Sequence, residues 1–187
     1  VWPDLKTEKE QARRLKERKD DKVKAHVVEH TVFRHWDHWL SDGRVPQVHL
    51  VDVRSGKCRN LFSGSKYELP VFDTSAADYD VSPDGRHLAF CFNPNPDRRG
   101  DQDHHIVEMD IRSGKAKTLT ATSPFSHFSP CYSPDGKRIG LLMANMRRSV
   151  DDDPKIGVIE RKGGRLTQWS DWDRVINAPL RWAADGG

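Results

Sequence analysis

The sequence predicts an all-β fold: a partial, open β-propeller of about three to four four-stranded antiparallel blades behind a short charged helix. Two observations carry the prediction. The stretch "DYDVSPDGRHLAFCF" (78–92) returns as "FSPCYSPDGKRIGLLM" (128–143), and a second pair of sentences repeats in alternation with them. These are "VHLVDVRSGKCRNL" (48–61) and "HIVEMDIRSGKAKTL" (105–119), with a weaker relative in "KIGVIERKGGRLTQW" (155–169).

Each repeat reads as a hairpin. In Ser82-Pro83-Asp84-Gly85 the proline fixes φ for the second position of a type I turn, Asp84 suits the third, and Gly85 takes positive φ without steric cost. After the turn, Leu88, Phe90 and Phe92 alternate with Ala89, Cys91 and Asn93; in the second copy Ile139, Leu141 and Met143 alternate with Gly140, Leu142 and Ala144. That period of two is a strand, and apolar residues on both faces imply sheets covered on both sides. The other sentences place a Gly-containing turn (Ser55-Gly56, Ser113-Gly114, Gly163-Gly164) between a longer and a shorter strand.

The spacing sets the architecture. Asp84 to Asp135 is 51 residues, Asp135 to Asp185 is 50, Asp110 to Glu160 is 50 and Asp52 to Asp110 is 58. Two hairpins per period make one four-stranded blade, and a period of about 40–50 residues is that of a propeller. A sandwich with two coincidental "SPDG" turns would not alternate two hairpin types in order. The expected organisation is a charged lead-in helix over 1–25 and propeller over 26–187, with blades at about 26–63, 76–120 and 127–169 and the start of another at 176–187.

At 187 residues the chain is shorter than the roughly 200 that four blades of this period need. It stops on "WAADGG", inside a turn that should lead to another strand. The expectation is a piece of a longer protein, with unpaired strand edges if expressed alone.

Net charge is +3, and residues 6–24 hold nine Lys/Arg against five Asp/Glu. Those charges are interleaved, lack aromatic residues and include Glu10–Arg14 and Asp20–Lys24 at i,i+4 spacing. A solvated surface helix fits better than a nucleic-acid arm. No apolar run reaches the roughly 18 residues of a membrane helix, and no signal peptide is visible. The absent Met leaves the compartment open between cytoplasm and periplasm. Cys58, Cys91 and Cys131 have no metal-like or C-x-x-C spacing and are expected to be buried free thiols.

Groups able to do chemistry are scattered. "EHTVFRHWDHWLSDG" (29–43) holds His30, His35, Asp37 and His38, a conceivable zinc set. On one extended strand, however, His35 and His38 would lie on opposite faces, so a structural strand is expected. "DQDHHIVEMD" (101–110) places Asp101, Asp103, His104 and His105 at the mouth of a strand. The loops "NPNPDRRG" (93–100) and "NMRRSVDDDP" (145–154) hold equivalent places one period apart and would form a charged rim. The second lacks the glycine and distal Glu of an EF-hand. No G-x-S-x-G elbow and no Gly-rich loop before a helix occurs, so no catalytic residue, cofactor site or metal site is assigned.

"FRHWDHWLSDGR" (33–44), followed by "VHLVDVRSGK" and "DYDVSPDGRHLAF", resembles the N-terminal propeller of the prolyl oligopeptidase family of serine peptidases. The branch is that of the bacterial acylaminoacyl-peptidases and dipeptidyl-aminopeptidases. The resemblance runs from about residue 8 to the end, with the Arg-His-Trp-Asp-x-Trp segment its most specific part. It implies a C-terminal α/β-hydrolase domain with a Ser/Asp/His triad, absent from these residues, and a propeller that admits short peptides and excludes folded proteins. The implied partners are a peptide substrate and that intramolecular domain, with neither nucleic acid nor membrane span. Substrate contacts are expected at Arg34, Trp36 and Asp37, in the strand opening the propeller, and at Arg98, Arg99 and Asp101 in the long loop. The alternative is a non-enzymatic Tol-type or WD-like propeller serving as an interaction scaffold. A metal-binding module is the third reading.

Overall fold

Alternation of large and small apolar residues along the longest strands decides how the sheets stack. The computed structural model describes residues 1–23, 25, 34–35, 38–40, 43–71, 73–95, 103–146, 153–171 and 179–186, with only the backbone at 34, 35 and 38. The chain is mostly β, in sheets of antiparallel strands, with one α-helix among the described residues.

That helix, α1 (Glu8–Asp20), starts where Thr7 caps it. The Thr7 hydroxyl accepts from the Glu10 N–H (3.2 Å), and the Glu10 carboxylate accepts from the Thr7 N–H (2.9 Å), a capping box. Glu10 therefore does not pair with Arg14 as its spacing suggested. Arg14 instead reaches Asp4 at 2.9 Å, and the i,i+4 pair on the helix is Arg13–Glu17 at 3.5 Å. No residue of α1 is buried, as a solvated helix requires. Its anchor is Gln11, whose side chain bonds both the N–H and the carbonyl of Trp2. The Trp2 ring lies buried between the guanidinium groups of Arg14 and Arg44, each 5.7 Å from its centre.

The strands follow as β1 (Arg34–His35), β2 (His38–Trp39), β3 (His49–Val51), β4 (Cys58–Asn60), β5 (Tyr79–Val81), β6 (His87–Phe92), β7 (His105–Asp110) and β8 (Ala116–Thr118). The last four are β9 (Ser126–Tyr132), β10 (Arg138–Ala144), β11 (Lys155–Glu160) and β12 (Leu166–Gln168). Two sheets have four strands each, β5-β6-β7-β8 and β9-β10-β11-β12 in sequential antiparallel order. Ahead of them, among the described residues, β1 pairs with β2, and β3 with β4. Where one extended strand was expected, β1 and β2 are two strands paired antiparallel, His35 with His38 and Arg34 with Trp39.

The repeated turns form one structure. Gly85 and Gly136, at φ 69° and 67°, donate N–H bonds to the carbonyls of Ser82 and Ser133, each at 2.8 Å. The two buried serines donate to Asp84 and Asp135 (2.6 and 2.7 Å) and accept from the N–H groups of His87 and Arg138 (2.9 Å each). Each serine thus locks the first residue of the following strand. The third copy closes the same bond, Gly186 N–H to Ala183 carbonyl at 2.9 Å, without the hydroxyl. The other hairpins share a second device: the Asp52 and Asp110 carboxylates accept from the N–H and hydroxyl of Ser55 and Ser113. These hydrogen bonds hold all four carboxyls below the usual Asp range. All these turns lie at one end of the sheets, the turn end. The strand ends Phe92 and His105, and Ala144 with Lys155 and Ser126, lie at the other, the loop end.

Stacking follows from the side-chain alternation. Leu88, Phe90 and Phe92 of β6 pack backwards on Phe62 and Leu69, with Val107 and Met109 beside them. Ala89 and Cys91, on the opposite face, receive Ile139, Leu141 and Met143 of β10. The small face of one sheet takes the large face of the next. The pattern continues at Gly140, where a Cβ would stand 3.3 Å from the Trp182 indole. Along β9 the register shifts opposite Leu141, where Ser129 adopts φ 51° beside Pro130, a bulge suited to a proline with no N–H to give the ladder.

Polar groups fasten the same junction. The Tyr132 N–H donates to Asp80 across the sheets (2.7 Å), and its hydroxyl donates to Glu108 (2.8 Å). Arg161 donates to the same Glu108 oxygen at 2.7 Å, and its guanidinium sits 5.2 Å from the Tyr132 ring centre. Burial and the neighbouring Glu108 carboxylate push the Tyr132 hydroxyl upward, so it stays a donor.

Gly157 tests the packing. Its added Cβ would lie 2.9 Å from Leu141, 3.0 Å from the Met143 sulfur and 3.2 Å from Leu166. Gly157→Ala should cost about 1–3 kcal/mol, seen as a lower urea midpoint at unchanged slope.

Candidate functional site at the loop end of the sheets

Loops root where strands end, and here three imidazoles gather at the roots. His104 and His105 lead into β7, and His127 sits at the start of β9 in the next sheet. The His127 N–H donates to the His104 carbonyl at 2.9 Å, and its Nδ1 lies 3.3 Å from the same oxygen. His105 Nδ1 stands 3.1 Å from the Thr120 carbonyl, while the Thr120 hydroxyl accepts from the Ile106 N–H at 3.0 Å. The His105 and His127 rings stack with centres 6.3 Å apart, and Phe128 meets His104 edge-on at 5.4 Å. The buried Ser126 hydroxyl accepts from the His104 N–H at 3.1 Å.

Burial decides the charge of these rings. His127 is fully buried and His104 nearly so; among the described residues Nε2 of the one and Nδ1 of the other have no hydrogen-bond partner. Burial pushes both imidazoles down to about 4, more strongly than Asp103 near His104 or the His104 carbonyl at His127 raises them. They are neutral at pH 7. Among the described residues no group of three His, Cys, Asp or Glu side chains is placed to hold one metal ion. What the arrangement does is mechanical: it ties the root of the 93–104 connection to the 119–127 segment and so fixes the bases of two neighbouring loops.

The residues anticipated as substrate contacts divide simply. Arg34 lies in β1, described there by its backbone alone. Trp36, Asp37, Arg98, Arg99 and Asp101 lie outside the described residues, as do His30 and the middles of both charged loops. His35 and His38 are cross-strand partners in β1 and β2. Topology does bring the strand ends flanking 93–104 and 145–154 to the same end of adjacent sheets. Asp103, His104 and His105 stand at the strand mouth, where the sequence puts them. His127 was missed, because "FSHFSP" reads only as a strand and its partners lie 22 residues or more upstream.

The thiols also differ from expectation. All three are free, Cys91 is buried and Cys131 half-buried, but Cys58 is exposed on β4, its sulfur 3.3 Å from His49 Nδ1. Its strand belongs to the two-stranded β3–β4 sheet, whose width covers neither face fully. Burial raises Cys91 and Cys131 and keeps them as thiols.

The pH response is specific. An unfolded imidazole titrates near 6.5 and these two titrate near 4, so the unfolded chain binds more protons between those values. Their contribution is complete above pH 6.5 and is lost as pH falls towards 4, by on the order of 2 kcal/mol each. Urea midpoints measured at pH 7.5 and 4.5 should diverge less in His127→Gln than in the unaltered protein.

No family model matches the chain. It is 27% identical over 184 residues to dipeptidyl-peptidase 5 of Arthroderma otae, an alignment covering 87% of this chain and 25% of that protein. It is 26% identical over 192 residues to dipeptidyl-peptidase 5 of Aspergillus oryzae, covering 86% and 26%. The chain thus spans about a quarter of the length of the curated relatives it matches. Among solved structures, TolB from Acinetobacter baumannii superposes over 76% of this chain and 30% of its own with a TM-score of 0.54 at 21% identity. The stacked antiparallel sheets are thus those of a Tol-type propeller in fold, in a sequence similar to dipeptidyl-peptidases.

Proposed function

We propose that this chain is the propeller portion of a serine peptidase of the prolyl oligopeptidase family. In this reading it limits access of peptides to a Ser/Asp/His triad carried by an α/β-hydrolase domain of the same polypeptide. The supporting observation is the combination of repeated, face-stacked antiparallel sheets with a likeness to dipeptidyl-peptidase 5 over 87% of the chain. The organisation is a lead-in helix over 1–25 and a propeller over 26–187, with blades at about 26–63, 76–120, 127–169 and from 176, in the acylaminoacyl-peptidase and dipeptidyl-aminopeptidase branch.

The reaction is acyl transfer: serine attack on the scissile carbonyl, an oxyanion held by N–H donors, then hydrolysis of the acyl-enzyme. The propeller's part is steric and electrostatic. Loops rooted by His104, His105 and His127 stand at the end of the sheets where a peptide would pass, and Arg98, Arg99 and Asp101 contact it there. Arg34, Trp36 and Asp37 contact it from the opening strand. The likeness to TolB favours a second reading, a non-enzymatic interaction scaffold.

Two measurements separate them. Coding sequence following Gly187 should supply G-x-S-x-G, then Asp, then His, and the complete polypeptide should hydrolyse short peptide amides with loss of activity on serine acylation. Further blades and a stop codon, with no hydrolysis, would establish the scaffold. In the complete enzyme, combined Arg34→Ala and Asp37→Ala should change KM or peptide-length preference about tenfold while leaving the melting temperature unchanged. Wild-type kinetics in that variant would remove these residues from the peptide path.

A further inference from the structure

The turn end of the sheets is far more basic than the rest of the chain. Residues 52–59, 82–87, 110–115, 133–138 and 160–165 together carry eleven Lys/Arg and five Asp/Glu, whereas the whole chain has a net charge of only +3. The five segments thus carry +6 and residues 6–24 another +4, so all other residues together carry −7. The repeat contributes to the asymmetry, because three of the five turns, those at Gly56, Gly114 and Gly163-Gly164, are bracketed by Arg or Lys: Arg54 and Lys57, Arg112 and Lys115, Lys162 and Arg165, all exposed.

The carboxylates do not neutralise this surface evenly. Asp52, Asp84, Asp110 and Asp135 are each bound to the serine of their own turn, and Arg86 and Lys137 N–H groups also bond Asp84 and Asp135. One oxygen of each is engaged in its own turn; Asp135 also pairs with Lys137 at 3.6 Å, while Arg54, Lys57, Arg112, Lys115, Lys162 and Arg165 are exposed. The turns also join into one surface. Arg59 donates to the Ile111 carbonyl across the first gap (2.7 Å). At the second gap Gly136 lies against Pro83, and Arg161 donates to the Gly136 carbonyl (2.6 Å). At the edge of this surface Val53 is 95% exposed between Asp52 and Arg54. Its counterpart Ile111 is partly buried against the cluster of Phe62, Leu88 and Phe90.

We propose that the turn end is a docking surface for an acidic protein segment, held by the Arg and Lys pairs that bracket the Gly56, Gly114 and Gly163-Gly164 turns. Guanidinium groups suit separate carboxylates through paired N–H donors, and ammonium groups add positive potential between them. Val53 supplies an apolar contact at the rim. A nucleic acid fits less well. None of the five turn segments contains Phe, Tyr or Trp to stack on bases. The surface stands whether or not the chain serves a peptidase.

The test is fluorescence anisotropy on the intact protein with a labelled decaglutamate probe, near physiological ionic strength. Saturable binding should weaken about tenfold or more in the combined Arg54→Glu, Arg112→Glu and Arg165→Glu variant. These side chains are exposed at turns, so the variant should keep the circular dichroism spectrum and melting of the parent. Reversal of Arg13, Lys16 and Lys22 to Glu, on or just after α1, should change binding less than about twofold. Absence of binding, equal loss in the two variants, or preferential binding of oligothymidylate of matched charge would each overturn the proposal.

Discussion

Everything in this molecule depends on strands that are apolar on both faces, one face large and the other small. Such a strand cannot be satisfied in a single sheet exposed to water on one side. It requires a neighbour in front and one behind, and the large-into-small fit fixes which neighbour goes where. Leu88, Phe90 and Phe92 point towards the preceding segment; Ala89 and Cys91 leave the volume that Ile139, Leu141 and Met143 fill. The polar bonds at the junction, from Tyr132 to Asp80 and Glu108 and from Arg161 to Glu108, link the same two sheets.

Most of the fold was legible because its signals are local and repeated. Proline, glycine and the strand period of two are read within a few residues, and a second copy converts a common turn into evidence for a recurring sheet. Ser82 and Ser133 show why the sentence is spelled as it is: the hydroxyl is the hub of the turn, bonding the acid two residues on and the amide five residues on. What could not be read are the bonds between sheets. Glu108 and Arg161 are 53 residues apart, Asp80 and Tyr132 are 52 apart, and nothing in either local pattern names the other.

Misreadings arose where one residue has two plausible uses. Glu10 stands four residues before Arg14, but it also stands three after Thr7, and the N-cap amide claims it. The Arg34–Trp39 stretch has strand-like composition yet holds two strands paired antiparallel. Cys58 has the neighbours of a core thiol but belongs to a sheet of two strands, too narrow to cover it. At the site, the His104 and His105 pair was visible at its strand mouth, whereas His127 joins them only through tertiary contact.

The Trp182 ring over Gly140 also bears on how the molecule is assembled in time. Each sheet leaves a shallow socket on its forward side that only later-synthesised residues can fill, as Trp182 does when its indole N–H reaches the Cys131 carbonyl. A nascent chain leaving the ribosome therefore always carries one wet apolar surface at its growing end, and that surface moves forward as each sheet is laid on the last. Assembly is vectorial by construction, and vulnerability to wrong partners peaks at each pause between sheets.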